Sequence, residues 1–188
     1  MSKVRLEAFT DAVIAIIMTV LVLELTRPTS DTWNALKEIL PHLAVYFISF
    51  IILAIYWVNH HHLLQSIQKI DSKVLWINIF FIFILSLVPI FSNWVSLYPN
   101  SFIPELCYVL LFSFANLIYY FFTKYLLKIN KGIRSDNATL KKNIVSVILN
   151  IISIALGYFI APIIMLIGSV IVFSLWVVPD KKVEEIFR

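Results

Sequence analysis

Four stretches of this chain, residues 43–58, 74–104, 106–123 and 143–179, carry no charged side chain and no histidine. A helix that crosses a bilayer needs about 20 predominantly apolar residues, so each stretch reads as membrane-embedded. The last is too long for one crossing and is punctuated by Gly157 and Pro162, which divide it into two helices joined by a tight turn. Residues 9–25 supply a further crossing ahead of the four. The composition agrees: 61% of the residues are hydrophobic and 14% are charged, whereas a soluble domain carries about 25% charged residues. Too few polar side chains remain to coat a soluble surface.

The expected fold is therefore all-α, a polytopic protein of six transmembrane helices in a single domain over residues 1–188. The spans fall at about 4–26, 42–67, 72–95, 104–129, 138–158 and 162–178. Arg27-Pro28 ends the first. Residues 30–40 read as a short interfacial helix, with Ser30 or Asp31 as N-cap. Pro104 suits a first helical turn, and Ser135-Asp136-Asn137 is a capping cluster before span 5. Trp33, Trp94, Tyr98, Tyr158 and Trp176 fall near span ends, where aromatic rings anchor helices at the interface. No linker, second domain or internal duplication is evident.

Charge gives the orientation. Cytoplasmic loops collect Lys and Arg. Of the 15 basic residues, 13 fall at the N-terminus, in the second and fourth loops, and in the tail, while the other side has only Arg27 and Lys37. Both ends are thus expected in the cytoplasm. The net charge of +4 reflects topology rather than nucleic acid, although the basic fourth loop also suits anionic lipid. Lys3 and Arg5 before an apolar run imitate a signal peptide. Asp11 interrupts that run, and no small-residue cleavage site follows near residues 24–28, so the segment is expected to be retained.

Few side chains in or beside the spans offer chemistry: Asp11, Thr19, Glu24, Asn59, His60, His61, His62, Asn78, Asn116 and Asn150. An ionisable group in a span costs about 2.5–3.5 kcal/mol on insertion scales and is a functional hypothesis by default. Asp11 and Glu24 sit near the two ends of span 1. The middles of spans 3, 5 and 6 hold nothing ionisable, which weakens a coupled-transporter reading. Consecutive helical residues diverge by about 100°, so His60, His61 and His62 do not close on one metal. Cys107 is the single cysteine, which excludes an intrachain disulfide and a cysteine-rich metal site. Three glycines are too few for a phosphate loop, no nucleophile elbow is present, and no cofactor is expected. The sequence contains neither the TVGYG potassium filter nor an arginine ladder for voltage sensing. An enzyme is not indicated.

Span 1 stands apart. At 3.6 residues per turn, Ile16, Val20 and Leu23 share a stripe that Thr19 borders, while Asp11 points to another side. Any spanning helix has an apolar stripe, so spacing alone does not establish conduction. The physical opportunity is a hydrophobic constriction, which gates by dewetting. Several copies around an axis would set rings of these three residues in the path.

The string Arg5-Leu6-Glu7-Ala8-Phe9-Thr10-Asp11 resembles the RxxxFSD signature of the lysosomal potassium channel family, transmembrane protein 175, and its bacterial single-repeat relatives. Thr10 stands where the family has serine, a hydroxyl of similar reach. The resemblance continues through residues 12–28, Ser49-Phe50, Trp57-Val58-Asn59-His60-His61, Asp71, Leu75-Trp76-Ile77-Asn78 and Leu87-Val88-Pro89. The second half of the chain matches only in hydropathy. The resemblance implies a homotetramer in the bacterial plasma (inner) membrane, with span 1 lining a pore for potassium ions. The constriction falls on Ile16, with Val20 and Leu23 further along, and Thr19 on a threonine linked to potassium preference. Arg5, Phe9, Thr10 and Asp11 form a motif organising the cytoplasmic end of span 1. Trp57, His60 and Asn78 pack around it in a structural role. Asp11 faces helices of its own subunit, where Arg5 or a histidine is in reach. A threonine ring replaces part of an ion's hydration but discriminates less than stacked carbonyls, so modest preference for potassium over sodium is expected. Two other readings stand beside the channel: a proton-coupled transporter using Asp11 or Glu24, and a non-conducting membrane scaffold.

Overall fold

The computed structural model describes residues 2–130 and 137–177, and among them every regular element is a helix. In chain order these are α1 (Lys3–Leu23), α2 (Trp33–Ser66), α3 (Ser72–Leu85), α4 (Val88–Leu97), α5 (Phe102–Ile129), α6 (Asn137–Phe159) and α7 (Ile163–Ser174). Five segments are long and apolar enough to cross a membrane, with α3 and α4 counted together as residues 72–97. At 1.5 Å per residue, the 12 residues of α7 rise about 18 Å, short of a hydrocarbon core of about 30 Å. The sixth expected span is thus a shorter helix within the described residues. Its predicted end at residue 178, the basic tail, Lys131 and Arg134, and the caps Ser135 and Asp136 lie outside them.

Four local expectations change. The separate interfacial helix does not exist: residues 33–40 are the first turns of α2, with Pro41 inside the helix and Thr32 as N-cap, its Oγ1 accepting from Ala35 N. The third span is not continuous. Pro89 has no N–H to offer Leu85, and its ring crowds the carbonyl four residues back. The ladder therefore stops at Leu85, Leu87 N bonds Ile84 O at 3.2 Å, and a new helix starts at Val88. Span 4 begins two residues early, at Phe102. Gly157 lies inside α6, and the turn falls at residues 160–162.

Helix α5 is the core. Its buried side chains meet α3, α4, α6 and α7. Tyr56 of α2 packs its ring against Phe81, Phe112, Tyr119 and Phe173, and its hydroxyl donates to Asn116 Oδ1 at 2.7 Å. Between α6 and α7 a Cβ at Gly168 would collide with Cβ of Ser153. Small residues allow such backbone approach in apolar surroundings.

Side-chain bonds sort the loops into two ends. At one, Lys3 Nζ bonds the Gln65 and Ile67 carbonyls at 3.2 and 2.9 Å. There too, Asn130 Oδ1 accepts from the Gln68 and Lys69 amides, and the Tyr125 hydroxyl donates to Asp71. At the other, Asn93 Nδ2 donates to Glu24 at 3.0 Å, His42 Nδ1 meets Ser96 Oγ at 2.8 Å, and Ile163 N donates to Asn100 Oδ1. Lys3, Lys69, Lys73, Lys124 and Lys128 belong to the first end.

Candidate functional site

Helix α1 starts where Ser2 Oγ accepts from the Arg5 amide, and it divides into two faces. Leu6, Thr10, Ile14, Ile17 and Leu21 recur every three or four residues and are buried against the rest of the chain. The opposite face is open. Ile16 is 60% and Leu23 79% exposed, Val20 and Phe9 are exposed, and so are Arg5 and Thr19. Thr19 turns its hydroxyl back to the Ile16 carbonyl at 2.8 Å. Its oxygen can still accept a further hydrogen bond.

Ala8, Ala12 and Ala15 lie on that face too, all exposed. Sequence reasoning passed over them, though their four- and three-residue spacing was the available signal. Small side chains in such a row let helices approach closely in a bilayer.

The Arg5–Asp11 motif does not gather into one cluster. Thr10 points inward, fully buried. Its Oγ1 donates to the Leu6 carbonyl at 2.9 Å and accepts from Asn78 Nδ2 at 2.8 Å. Asn78 Oδ1 lies 2.7 Å from His60 Nε2, and since an amide oxygen only accepts, His60 donates there. The His60 ring is held flat between Phe81 and Phe122, 5.7 and 5.3 Å away and within 7° of parallel. A row of hydrogen bonds thus ties α2, α3 and α1 in one direction, His60 to Asn78 to Thr10 to Leu6 O.

Asp11 turns sideways and accepts from the Trp57 indole N–H at 2.8 Å. Neither Arg5 nor a histidine supplies its bond, because the indole projecting from α2 reaches it first. Trp57 in turn stacks on His61, whose Nε2 meets Gln65 at 2.7 Å. Arg5 and Phe9 stay on the open face.

Of the residues singled out in the sequence, the fold brings together Thr10, Asn78 and His60, and separately Asp11 and Trp57. Ile16, Thr19, Val20 and Leu23 remain on the face that no other part of the described chain covers. Glu24 sits at the far end of α1, bonded to Asn93 beside His42 and Ser96. His60, His61 and His62 diverge, and among the described residues no group of three or more metal-ligating acids, histidines or cysteines forms.

Sequence reasoning also missed Glu105. It is buried in the first turn of α5, near the Asn100 and Leu166 amides but without a well-aligned hydrogen bond. An acid in a helix's first turn is the only signal it offered.

Residues 5–89 match the family model described as endosomal/lysosomal potassium channel TMEM175. A potassium channel of Chryseobacterium sp. (strain P1-3) is 35% identical over 192 residues, covering 98% of this chain and 97% of that protein. The endosomal/lysosomal proton channel TMEM175 of Gallus gallus is 26% identical over 186 residues, which span 90% of this chain and 37% of that protein. The crystal structure of a lysosomal potassium-selective channel TMEM175 homolog from Chamaesiphon minutus superposes with a TM-score of 0.82 at 21% identity, covering 93% of this chain and 96% of that one.

Proposed function

The chain belongs to the TMEM175 family of channels, and from that premise we propose that it forms a potassium-permeable pore in the bacterial plasma membrane. In this reading four copies assemble around α1, both termini face the cytoplasm, and residues 1–188 act as one six-span domain. The observation that carries the reading is the division of α1. Its polar motif is engaged within the subunit through Thr10 and Asp11, while its other face offers Ile16, Val20 and Leu23 with one hydroxyl at Thr19. Rings of branched apolar side chains repel water and so block hydrated ions until they widen. Thr19 supplies the polar ring beside them and gives a modest preference for potassium. The basic end marked by Lys3, Lys69 and Lys73 is the cytoplasmic one.

Potassium flux into liposomes holding the purified protein tests this. Wild-type protein should carry flux, and Ile16→Asn should raise it several-fold by wetting the constriction. Well-folded protein that carries no potassium, with Ile16→Asn equally silent, would sink the proposal.

Because the vertebrate relatives are named proton channels, proton flux is measured in the same vesicles. A proton current without potassium current, abolished by Asp11→Asn or Glu24→Gln with assembly intact, would favour the proton-coupled alternative.

A further inference from the structure

The outer faces of α3 and α5 line an open apolar groove of about 420 Å³. Trp76 and Phe80 form one wall, and Phe114, Leu117 and Phe121 the other. All five are exposed in the chain, Trp76 at 71%. The two helices run antiparallel, because Tyr125 near the end of α5 bonds Asp71 at the start of α3.

The groove therefore has a defined mouth, and that mouth is basic. Lys73 stands one turn before Trp76. Lys124 stands one turn after Phe121 and Lys128 one turn further, and all three are exposed. Lys124 lies over the Tyr120 ring, 5.5 Å from its centroid. Asp71 is the acid beside the mouth, and its carboxylate is taken up by the Tyr125 hydroxyl and the Lys73 and Val74 amides.

From Phe114 to Lys124 the helix rises about 15 Å, the depth of one leaflet of a hydrocarbon core about 30 Å thick. Apolar walls of leaflet depth ending in lysines match one molecule: an acyl chain whose headgroup carries a negative charge. We propose that the α3–α5 groove is a binding site for an anionic phospholipid, its acyl chain along Trp76, Phe80, Leu117 and Phe121 and its phosphate held by Lys73 and Lys124. The site rests on the membrane-spanning fold and not on potassium conduction, so protein that carries no flux still tests it.

The full chain, purified in mild detergent, is titrated with dioleoylphosphatidylglycerol or dioleoylphosphatidylcholine, and retained lipid is counted by native mass spectrometry. Phosphatidylglycerol should be retained in preference. A lysine near anionic lipid strengthens binding about five-fold, so Lys73→Gln with Lys124→Gln should weaken retention roughly twenty-five-fold. The paired arginine variant should restore it, which separates charge from folding. Leu117→Trp, which fills the groove, should weaken retention of both lipids. Equal retention of the two lipids, or unchanged phosphatidylglycerol retention in the glutamine variant, overturns the proposal. So does an interchain disulfide formed in membranes by Leu117→Cys in a Cys107→Ser background, which would put a second copy in the groove.

Discussion

At the scale of single residues, the inward half of the α1 motif is a matter of satisfied polar groups. Thr10 is buried and uses its hydroxyl both as donor and as acceptor. Thr10→Ser keeps both bonds and should leave thermal stability in detergent within a degree or two. Thr10→Val orphans the Asn78 amide, and a buried unpaired donor costs about 1–3 kcal/mol, so its melting temperature should fall clearly. A lower melting temperature for Thr10→Ser than for Thr10→Val would mean that the methyl group, not the hydroxyl, fixes α1 against α3. Asp71 gives a pH-dependent counterpart. The Tyr125 hydroxyl, then the Val74 amide, hold its carboxyl below the usual carboxylate range. Because the folded-state value is depressed, the contribution is present above the unfolded value and fades as pH falls through the folded one. Wild-type stability should therefore decline below about pH 4, and Asp71→Asn should show a shallower acid limb. An acid limb of unchanged depth would assign that decline to other carboxylates.

At the scale of elements, the sequence showed where helices are but not how they are interrupted. Hydropathy counts apolar residues and is blind to a missing N–H, so the third span read as one helix, although Pro89 splits it at Leu87. At Pro41 the reverse holds: the expected elements at residues 30–40 and 42–67 stop on either side of it, whereas α2 runs through it. The break has a use. It sets α4 so that Ser92 donates to Ser49, which meets the Tyr108 hydroxyl at 2.9 Å, and Asn93 reaches Glu24. Pro89→Ala would allow a bond to the Leu85 carbonyl and straighten the span. At about 1 kcal/mol for each displaced side-chain bond, the variant should be less stable despite its added backbone bond. A gain in melting temperature would show that α4 tolerates the straight course.

At the scale of the whole molecule, the five segments long enough to cross a membrane and the shorter α7 were legible because charge-free length is a one-dimensional quantity. The two faces of α1 were legible too, since helical spacing alone separates Leu6, Thr10 and Ile14 from Ile16, Val20 and Leu23. Partners across the fold were not. Asp11 pairs with Trp57, 46 residues away, and no periodicity encodes which side chain arrives first. The open face, with Ala8, Ala12 and Ala15, is the surface on which assembly is expected. Ala12→Phe should lower the mass of the purified complex below four chains, read by light scattering, and abolish flux. A four-chain complex that still conducts would place the seam elsewhere.

The row from His60 through Asn78 and Thr10 to Leu6 O has a consequence for charge movement. A proton wire needs links that give up one hydrogen while taking another, as water and hydroxyls do. The Asn78 amide does not, and the row ends on a backbone carbonyl that has no hydrogen to pass on. The row is therefore an insulator, and no hydrogen ion is relayed along it from His60 to the Leu6 carbonyl.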